Sequence, residues 1–128
     1  SEGFELVLSC EEVEVYSDPQ RLSQVLYNFI NNAIQYSGNS RQIEIRCQKI
    51  NESVRVEIQD FGEGIPSDQI PYIWDRYYKI DRTHVRTQKG SGIGLNICKE
   101  ILELHQSKYG VISKLNEGTT FWFELELV

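Results

Sequence analysis

Apolar residues recur at the three-to-four-residue spacing of a helix in two long stretches of the chain, 19–36 and 94–106. The first stretch follows Ser17-Asp18-Pro19, which supplies a capping side chain and a proline for the first helical turn. This spacing predicts two amphipathic helices, each with one face packed on a core. A third, shorter helical segment is predicted near residues 69–74.

Six further segments are predicted to be strands: 4–8, 12–16, 43–47, 54–58, 109–115 and 120–127. Alternation of apolar and polar residues is clear in 43–47, 54–58 and the last segment. Short polar turns make hairpins of the third with the fourth and of the fifth with the sixth. Taken together, the elements predict one α+β domain over residues 1–128. It is a two-layer sandwich with a mixed, mostly antiparallel sheet packed on one face by helices.

The net charge of −6 over 128 residues argues against broad binding to nucleic acid or to an anionic membrane surface. One polar segment, 76–89, departs from that balance. It contains five cations against one acid inside the run: Arg76, Lys79, Arg82, Arg86 and Lys89 against Asp81. A solvated basic loop is one interpretation, but its place before a glycine-rich segment favours a phosphate-facing role.

The three cysteines are widely spaced and form no C-x-x-C pair, so we expect reduced, core or near-core residues in a cytoplasmic domain. With two histidines and no such cluster, a zinc site is not expected. No apolar run reaches the length of a membrane span. The chain starts on a strand-like segment, so we expect a domain from a longer parent protein, which could itself be anchored in a membrane.

Two glycine loops carry the first chemical signal. Asp60-Phe61-Gly62-Glu63-Gly64 closes a strand, and the segment 90–95 opens the second long helix. Glycine permits close backbone approach, and a helix N-terminus offers free N–H groups to an anion. The carboxylate of Asp60 suits a donor, not a phosphate. The two loops predict a nucleotide, most simply ATP, because guanine presents a carbonyl where adenine presents an amine.

Other phosphate-binding loops do not match. A basic loop, and not a strand, precedes residues 90–94, which argues against a dinucleotide fold, and no Walker-A sequence occurs. Asn28 and Asn32 lie one helical turn apart beside the apolar stripe, with Gln35 near the same line. An ordinary polar helix face would explain any two asparagines. An amide oxygen is, however, a suitable single protein ligand for Mg²⁺ bound to ATP.

These motifs, in this order, resemble the ATP-binding catalytic domain of sensor histidine kinases, in the superfamily shared with gyrase-type ATPases and MutL proteins. Residues 28–33 resemble the family's N box, in which Asn32 matches the magnesium-binding asparagine. The segment 60–64 resembles the G1 box, with Asp60 at the adenine-reading position, and 73–79 is similar to the F box. The segment 90–95 resembles the G2 box, which ends a flexible lid over the triphosphate.

The resemblance also extends to Gly118-Thr119, where the threonine supports the adenine site. It implies Asn32 and Lys79 as catalytic residues and Asn32 as the Mg²⁺ ligand. The implied ATP site contains Asn28, Asn32, Gln35, Tyr36, Asp60, Gly62, Gly64, Ile65, Lys79, Arg86, Lys89, Gly90, Ser91, Gly92, Ile93, Gly94, Leu95 and Thr119.

Four positions depart from the family pattern. Gln35 stands where lysine is common, Phe61 where asparagine is usual, and Trp74 where phenylalanine is usual. His105-Gln106-Ser107 replaces a common His-Gly-Gly.

Gyrase-type relatives hydrolyse ATP with a glutamate at the position of Asn28, and an amide cannot act as a general base. The resemblance therefore implies a kinase whose acceptor histidine lies on a separate dimerisation domain, with a response regulator receiver domain as a further partner. Neither His84 nor His105 is followed by an acid as the acceptor would be. We expect this domain alone to bind ATP but phosphorylate little. A gyrase- or MutL-like ATPase and a catalytically inactive nucleotide-binding module remain as alternatives.

Overall fold

The computed structural model describes the backbone of residues 5–10 and residues 18–35, 42–75 and 94–127 in full. Their elements in chain order are β1 Glu5–Cys10, α1 Pro19–Gln35, β2 Gln42–Ile50, β3 Ser53–Asp60, a 3₁₀ turn Ile70–Tyr72, α2 Gly94–Leu104, β4 Tyr109–Lys114 and β5 Gly118–Glu126. The predicted strand at 12–16, the basic segment 76–89 and the flexible lid lie outside the described residues.

The strands form one five-stranded sheet in the order β1-β2-β3-β5-β4. Among the described strands, β1 and β2 run parallel and the other three neighbouring pairs are antiparallel. The mixed, mostly antiparallel sheet predicted from the alternation is therefore confirmed, as are both hairpins. The turn after β2 uses Asn51 with φ 57°, a left-handed conformation that asparagine tolerates better than most residues.

One face of the sheet packs on the two helices and forms the core. On β3, Val54, Val56, Ile58 and Asp60 are buried in alternation with half-buried polar residues. On β5 the buried apolar side chains are Phe121, Phe123 and Leu125, as the alternation predicts. The helices contribute their own apolar stripes, which bury Val25, Phe29 and Ala33 from α1 and Cys98, Ile101 and Leu102 from α2.

The opposite face of the sheet carries a chain of ion pairs across three strands. Arg46 Nε lies 3.1 Å from Glu57 Oε1, and Arg55 Nε lies 3.0 Å from Glu57 Oε2. The Arg55 guanidinium also lies 4.0 Å from the centre of the Trp122 ring and 3.7 Å from Glu124. These half-exposed side chains shield the sheet from water and leave the purely apolar contacts to the helix side.

The start of α1 has the cap that the sequence predicts. Asp18 Oδ1 accepts hydrogen bonds from the backbone N–H groups of Gln20 at 3.1 Å and Arg21 at 3.4 Å, and Pro19 is the first helical residue. The backbone N–H of Asp18 in turn donates to His105 Nε2 at 3.1 Å. This bond ties the beginning of α1 to the residue that follows α2.

The cysteines differ in state. Cys98 is fully buried between the helices, and burial raises the pKa of its thiol to about 12. Cys47, half-buried on β2, is disulfide-bonded, so the expectation that all three cysteines are reduced is wrong for Cys47. The parallel register places the Cα of Cys10 opposite that of Cys47, which their separation along the chain does not reveal. Among the described residues, no helix is both long and apolar enough to cross a membrane.

Candidate functional site

Four residues form a row across the sheet at the end where β3 stops. Backbone register pairs Ile43 with Asp60, Asp60 with Thr119, and Thr119 with Ser113. Asp60 and Thr119 occupy buried positions in the alternation of their strands, so both lie on the helix-facing side of the sheet. Their exposed fractions are 2% and 3%. The sheet therefore places a carboxylate and a hydroxyl side by side beneath the helices, with an apolar residue on one flank.

Asp60 is the last residue of β3, and its carboxylate also shapes the loop that follows. Oδ1 accepts a hydrogen bond from the backbone N–H of Gly62 at 2.9 Å. Burial of a carboxylate is costly unless donors face it, and the Gly62 N–H is one such donor. The sequence assigns acceptor chemistry to Asp60 toward a ligand, and that role stays a prediction.

Ser113 holds the row and the loop together. Its Oγ accepts from the backbone N–H of Ile65 at 2.7 Å, donates to the carbonyl of Gly118 at 3.0 Å, and lies 2.8 Å from Thr119 Oγ1. The sequence reasoning missed this residue. The feature that could have identified Ser113 is its position: it faces inward on β4, directly opposite Thr119.

Two glycines allow the loop after β3 to meet the turn between β4 and β5 backbone to backbone. Gly64 has φ 79°, and a Cβ added there would lie 2.1 Å from the carbonyl oxygen of Lys114. Gly118 has φ 103°, and its added Cβ would lie 2.1 Å from the carbonyl oxygen of Asp60. The sequence argument gave Gly64, but not Gly118, to a close approach of ligand. The described contacts give Gly64 and Gly118 a close approach between two protein backbones.

Asn28 connects the first helix to the beginning of the second. Its Nδ2 donates to the carbonyl of Gly94 at 3.5 Å. The structure thereby brings together the predicted N box and the last glycine of the predicted G2 box. Asn32 and Gln35, also half-buried, follow along the same helix.

Trp74 anchors the end of the described segment 42–75. Its ring lies edge-on to Tyr109, with centroids 5.0 Å apart, and edge-on to Phe121 at 5.7 Å. The side chain of Asn96, one turn into α2, donates to the Trp74 carbonyl at 3.1 Å. This bond joins the chain just before residue 76 to the chain just after residue 93. Sequence reasoning did not single out Asn96, because an exposed-looking polar residue in a helix carries no sign of its partner.

The remaining predicted site residues divide by place. Ile65 is 2% exposed, and Leu95 is half-buried against the core. Eight predicted positions lie outside the described residues: Tyr36, Lys79, Arg86, Lys89, Gly90, Ser91, Gly92 and Ile93. Within the described ranges, no group of three or more His, Cys, Asp and Glu residues could hold a metal ion. The described residues therefore contain no metal site built from several such side chains. A single amide ligand would be compatible with this finding.

The model of the family described as histidine kinase-, DNA gyrase B- and HSP90-like ATPase matches residues 17–128. The histidine-protein kinase ArlS of Staphylococcus aureus strain USA300 is 34% identical over 118 residues, which are 92% of this chain and 26% of the relative. The catalytic domain of histidine kinase ThkA superposes with a TM-score of 0.80 at 28% identity, over 97% of this chain and 80% of that one.

Two further solved structures share the fold. The mycobacterial sensor histidine kinase MprB has a TM-score of 0.87 at 23% identity, covering 97% of this chain and 84% of its own. Full-length ShkA in complex with AMPPNP has a TM-score of 0.82 at 26% identity and covers 98% of this chain, which corresponds to 26% of ShkA. The chain spans about a quarter of the length of the curated relatives it matches.

The chain therefore belongs to the histidine kinase-, DNA gyrase B- and HSP90-like ATPase family, and within it to the ATP-binding domains of two-component sensor histidine kinases. The α+β sandwich predicted from the alternation is the fold of those catalytic domains.

Proposed function

We propose that this domain binds ATP with its adenine beside Asp60 and transfers the γ-phosphate to a histidine on a separate dimerisation domain. The nucleophile is then an imidazole from another domain. This domain itself positions the triphosphate and stabilises its negative charge. A response regulator receiver domain would accept the phosphate afterwards. The length of two relatives supports the presence of such partner domains, because ArlS and ShkA extend well beyond the region matched here.

The observation that carries this proposal over ATP hydrolysis is the position of Asn28. A hydrolase needs a group there that removes a proton from water, and a carboxamide has no basic site at neutral pH. Here the amide instead donates to the Gly94 carbonyl at 3.5 Å. This contact fits a residue that joins two helices better than one that activates water.

Base recognition follows from the buried row. The carboxylate of Asp60 accepts hydrogen bonds, and its backbone partner at Gly62 N lies 2.9 Å away. The exocyclic amine of adenine is a donor and would offset part of the cost of burying the charge. A base that presents a carbonyl at the same edge would meet acceptor against acceptor.

Mg²⁺ would be held by Asn32, whose half-buried amide lies one helical turn beyond Asn28. The ion needs few protein ligands when it is bound to phosphates and water, so a single neutral oxygen fits the described residues. When bound, the ion offsets negative charge on the triphosphate. We assign the matching phosphate contacts of the protein to Lys79 and the basic segment around it. A cytoplasmic location is part of the same proposal, since ATP and the receiver domain are found there.

The test mixes the purified chain, Mg²⁺ and ATP labelled at the γ-phosphate with the dimerisation domain encoded with it. Labelled, acid-labile and alkali-stable phosphate on that second domain is the expected result. The control replaces the acceptor histidine of that domain and should abolish the label. Steady release of inorganic phosphate by this chain alone, with no label on the second domain, would establish a hydrolase instead.

A further inference from the structure

We propose that Ser113 is a positioning residue for purine recognition, which turns the hydroxyl of Thr119 so that it acts only as an acceptor beside Asp60. This inference rests on the proposed function, because it takes a purine base to lie against Asp60. It adds a selectivity mechanism that depends on a residue outside the predicted ATP site.

The direction of each hydrogen bond follows from what the partners can do. A serine hydroxyl has one hydrogen and two lone pairs. The Gly118 carbonyl at 3.0 Å can only accept, so it takes the hydrogen, and the Ile65 N–H at 2.7 Å can only donate, so it takes one lone pair. The second lone pair is left for Thr119 Oγ1 at 2.8 Å, and Thr119 is therefore the donor in that bond.

The opposite arrangement is disfavoured by the geometry. If Ser113 donated to Thr119, Ser113 Oγ and the Gly118 carbonyl oxygen would face each other at 3.0 Å as two acceptors with no hydrogen between them. The Ser113 hydroxyl thus has every bond it can make, and its orientation is fixed by two backbone groups that cannot rotate.

The consequence for Thr119 is a fixed polarity. Its only hydroxyl hydrogen points at Ser113, so its remaining lone pairs face the rest of the site. Thr119 and Asp60 are directly opposite each other on neighbouring strands and share the helix-facing side of the sheet. Both therefore present acceptors to a bound base. The 6-amino group of adenine carries two hydrogens and can donate to both acceptors, whereas the 6-carbonyl of hypoxanthine can donate to neither.

Ser113 also links the loop after Asp60, through Ile65, to the start of β5, through Gly118. A substitution there could act on stability alone. The ratio of ATP affinity to ITP affinity separates the two roles, because a loose structure weakens both nucleotides together whereas a change of polarity favours one over the other. Calorimetric dissociation constants for ATP and ITP with Mg²⁺, together with thermal unfolding without nucleotide, provide both readings.

We expect Ser113→Ala to lower the ATP-to-ITP affinity ratio about fivefold, the size expected for one neutral hydrogen bond, because Thr119 is then free to donate to a carbonyl. Ser113→Thr keeps the hydroxyl and should retain the ratio of the unmodified chain. In a Thr119→Val background, Ser113→Ala should change the ratio no further, since the group it orients is gone.

An unchanged ratio in Ser113→Ala, or an equal change with and without Thr119, overturns the proposal. If Ser113→Ala does not fold, Thr119→Val decides, because it must lower the ratio itself, and an unchanged ratio overturns the proposal. The proposed function fails separately. A chain that binds ATP selectively but never labels the dimerisation domain contradicts only phosphotransfer, whereas a chain that binds neither nucleotide contradicts both.

Discussion

His105 Nε2 accepts a hydrogen bond from the backbone N–H of Asp18 at 3.1 Å, and this bond joins the start of α1 to the end of α2. The other ring nitrogen, Nδ1, lies 2.9 Å from the carbonyl of Ile101. Nε2 accepts, so Nδ1 carries the hydrogen and donates to that carbonyl. The imidazole is thus held in one neutral tautomer by two backbone groups.

Replacing His105 with alanine should lower the free energy of unfolding by about 1 kcal/mol, the value of a partly exposed hydrogen-bonded link. Urea denaturation provides the measurement. The neighbouring substitution Leu104→Ala is the control, because that side chain is 75% exposed and its loss should change stability by less than about 0.5 kcal/mol. Equal effects of the two substitutions would contradict the role given to the imidazole.

Gly64→Ala should destabilise the domain by more than about 3 kcal/mol, since the new Cβ would fall 2.1 Å from a backbone oxygen at a residue with φ 79°. Gly94→Ala is the matched control. The nearest atoms to its Cβ would be those of the Asn28 side chain at 3.9 Å, and the residue lies where α2 begins. The melting temperature should therefore be unchanged or slightly higher. Similar melting temperatures for both variants would show that the loop and the turn are not in backbone contact.

Asp60→Asn should weaken ATP binding by at least about tenfold, because an amide replaces a charged acceptor with one that also presents a donor to the base. Calorimetry on the variant gives the affinity directly. Glu126→Gln removes a negative charge from an exposed site at the far end of β5 and should leave the affinity unchanged. A normal ATP affinity in Asp60→Asn would place the adenine elsewhere.

Asn32→Ala should leave adenine recognition intact while reducing phosphotransfer at least about tenfold, because only the proposed Mg²⁺ contact is lost. The appropriate pair of measurements is adenosine or ADP affinity without Mg²⁺ and labelling of the dimerisation domain with it. Asn31→Ala, an exposed neighbour, is the control for helix content. Full phosphotransfer by the Asn32 variant would exclude its assignment as the metal ligand.

Alkaline pH should destabilise the fold through Cys98. Its thiol pKa is raised from 9.0 to about 12 by burial, so the unfolded chain releases this proton at lower pH than the folded chain. Because the unfolded state then binds fewer protons, stability is fully present below about pH 9 and is lost as pH rises toward 12. Cys98→Ala should show a shallower fall over that interval. Tyr109, whose pKa is also raised to about 12, contributes equally to both proteins.

The sequence predicts the described helices and hairpins correctly, because they depend on local patterns. The chemistry assigned to Asp60, from its place after a strand and before glycines, stays a prediction. The helix cap at Asp18 was equally local and is confirmed by two backbone hydrogen bonds. In each case, residues close in sequence decide the outcome.

What the sequence could not supply depends on which strands become neighbours. Ser113 reads as one more polar residue in an edge strand until β4 is paired with β5 and Thr119 lies opposite. The state of Cys47 depends likewise on a parallel register with β1. The contact of Asn28 with Gly94 needs the two helices to be packed together before it exists.

The place of Asp60 on the helix side follows from counting residues along β3, where it shares its side with Val54, Val56 and Ile58. Inserting or deleting a single residue between Ile58 and Asp60 would turn the carboxylate to the ion-paired face, while a change of two would restore it. The number of residues in β3 before the acid therefore decides which layer of the domain carries the charge.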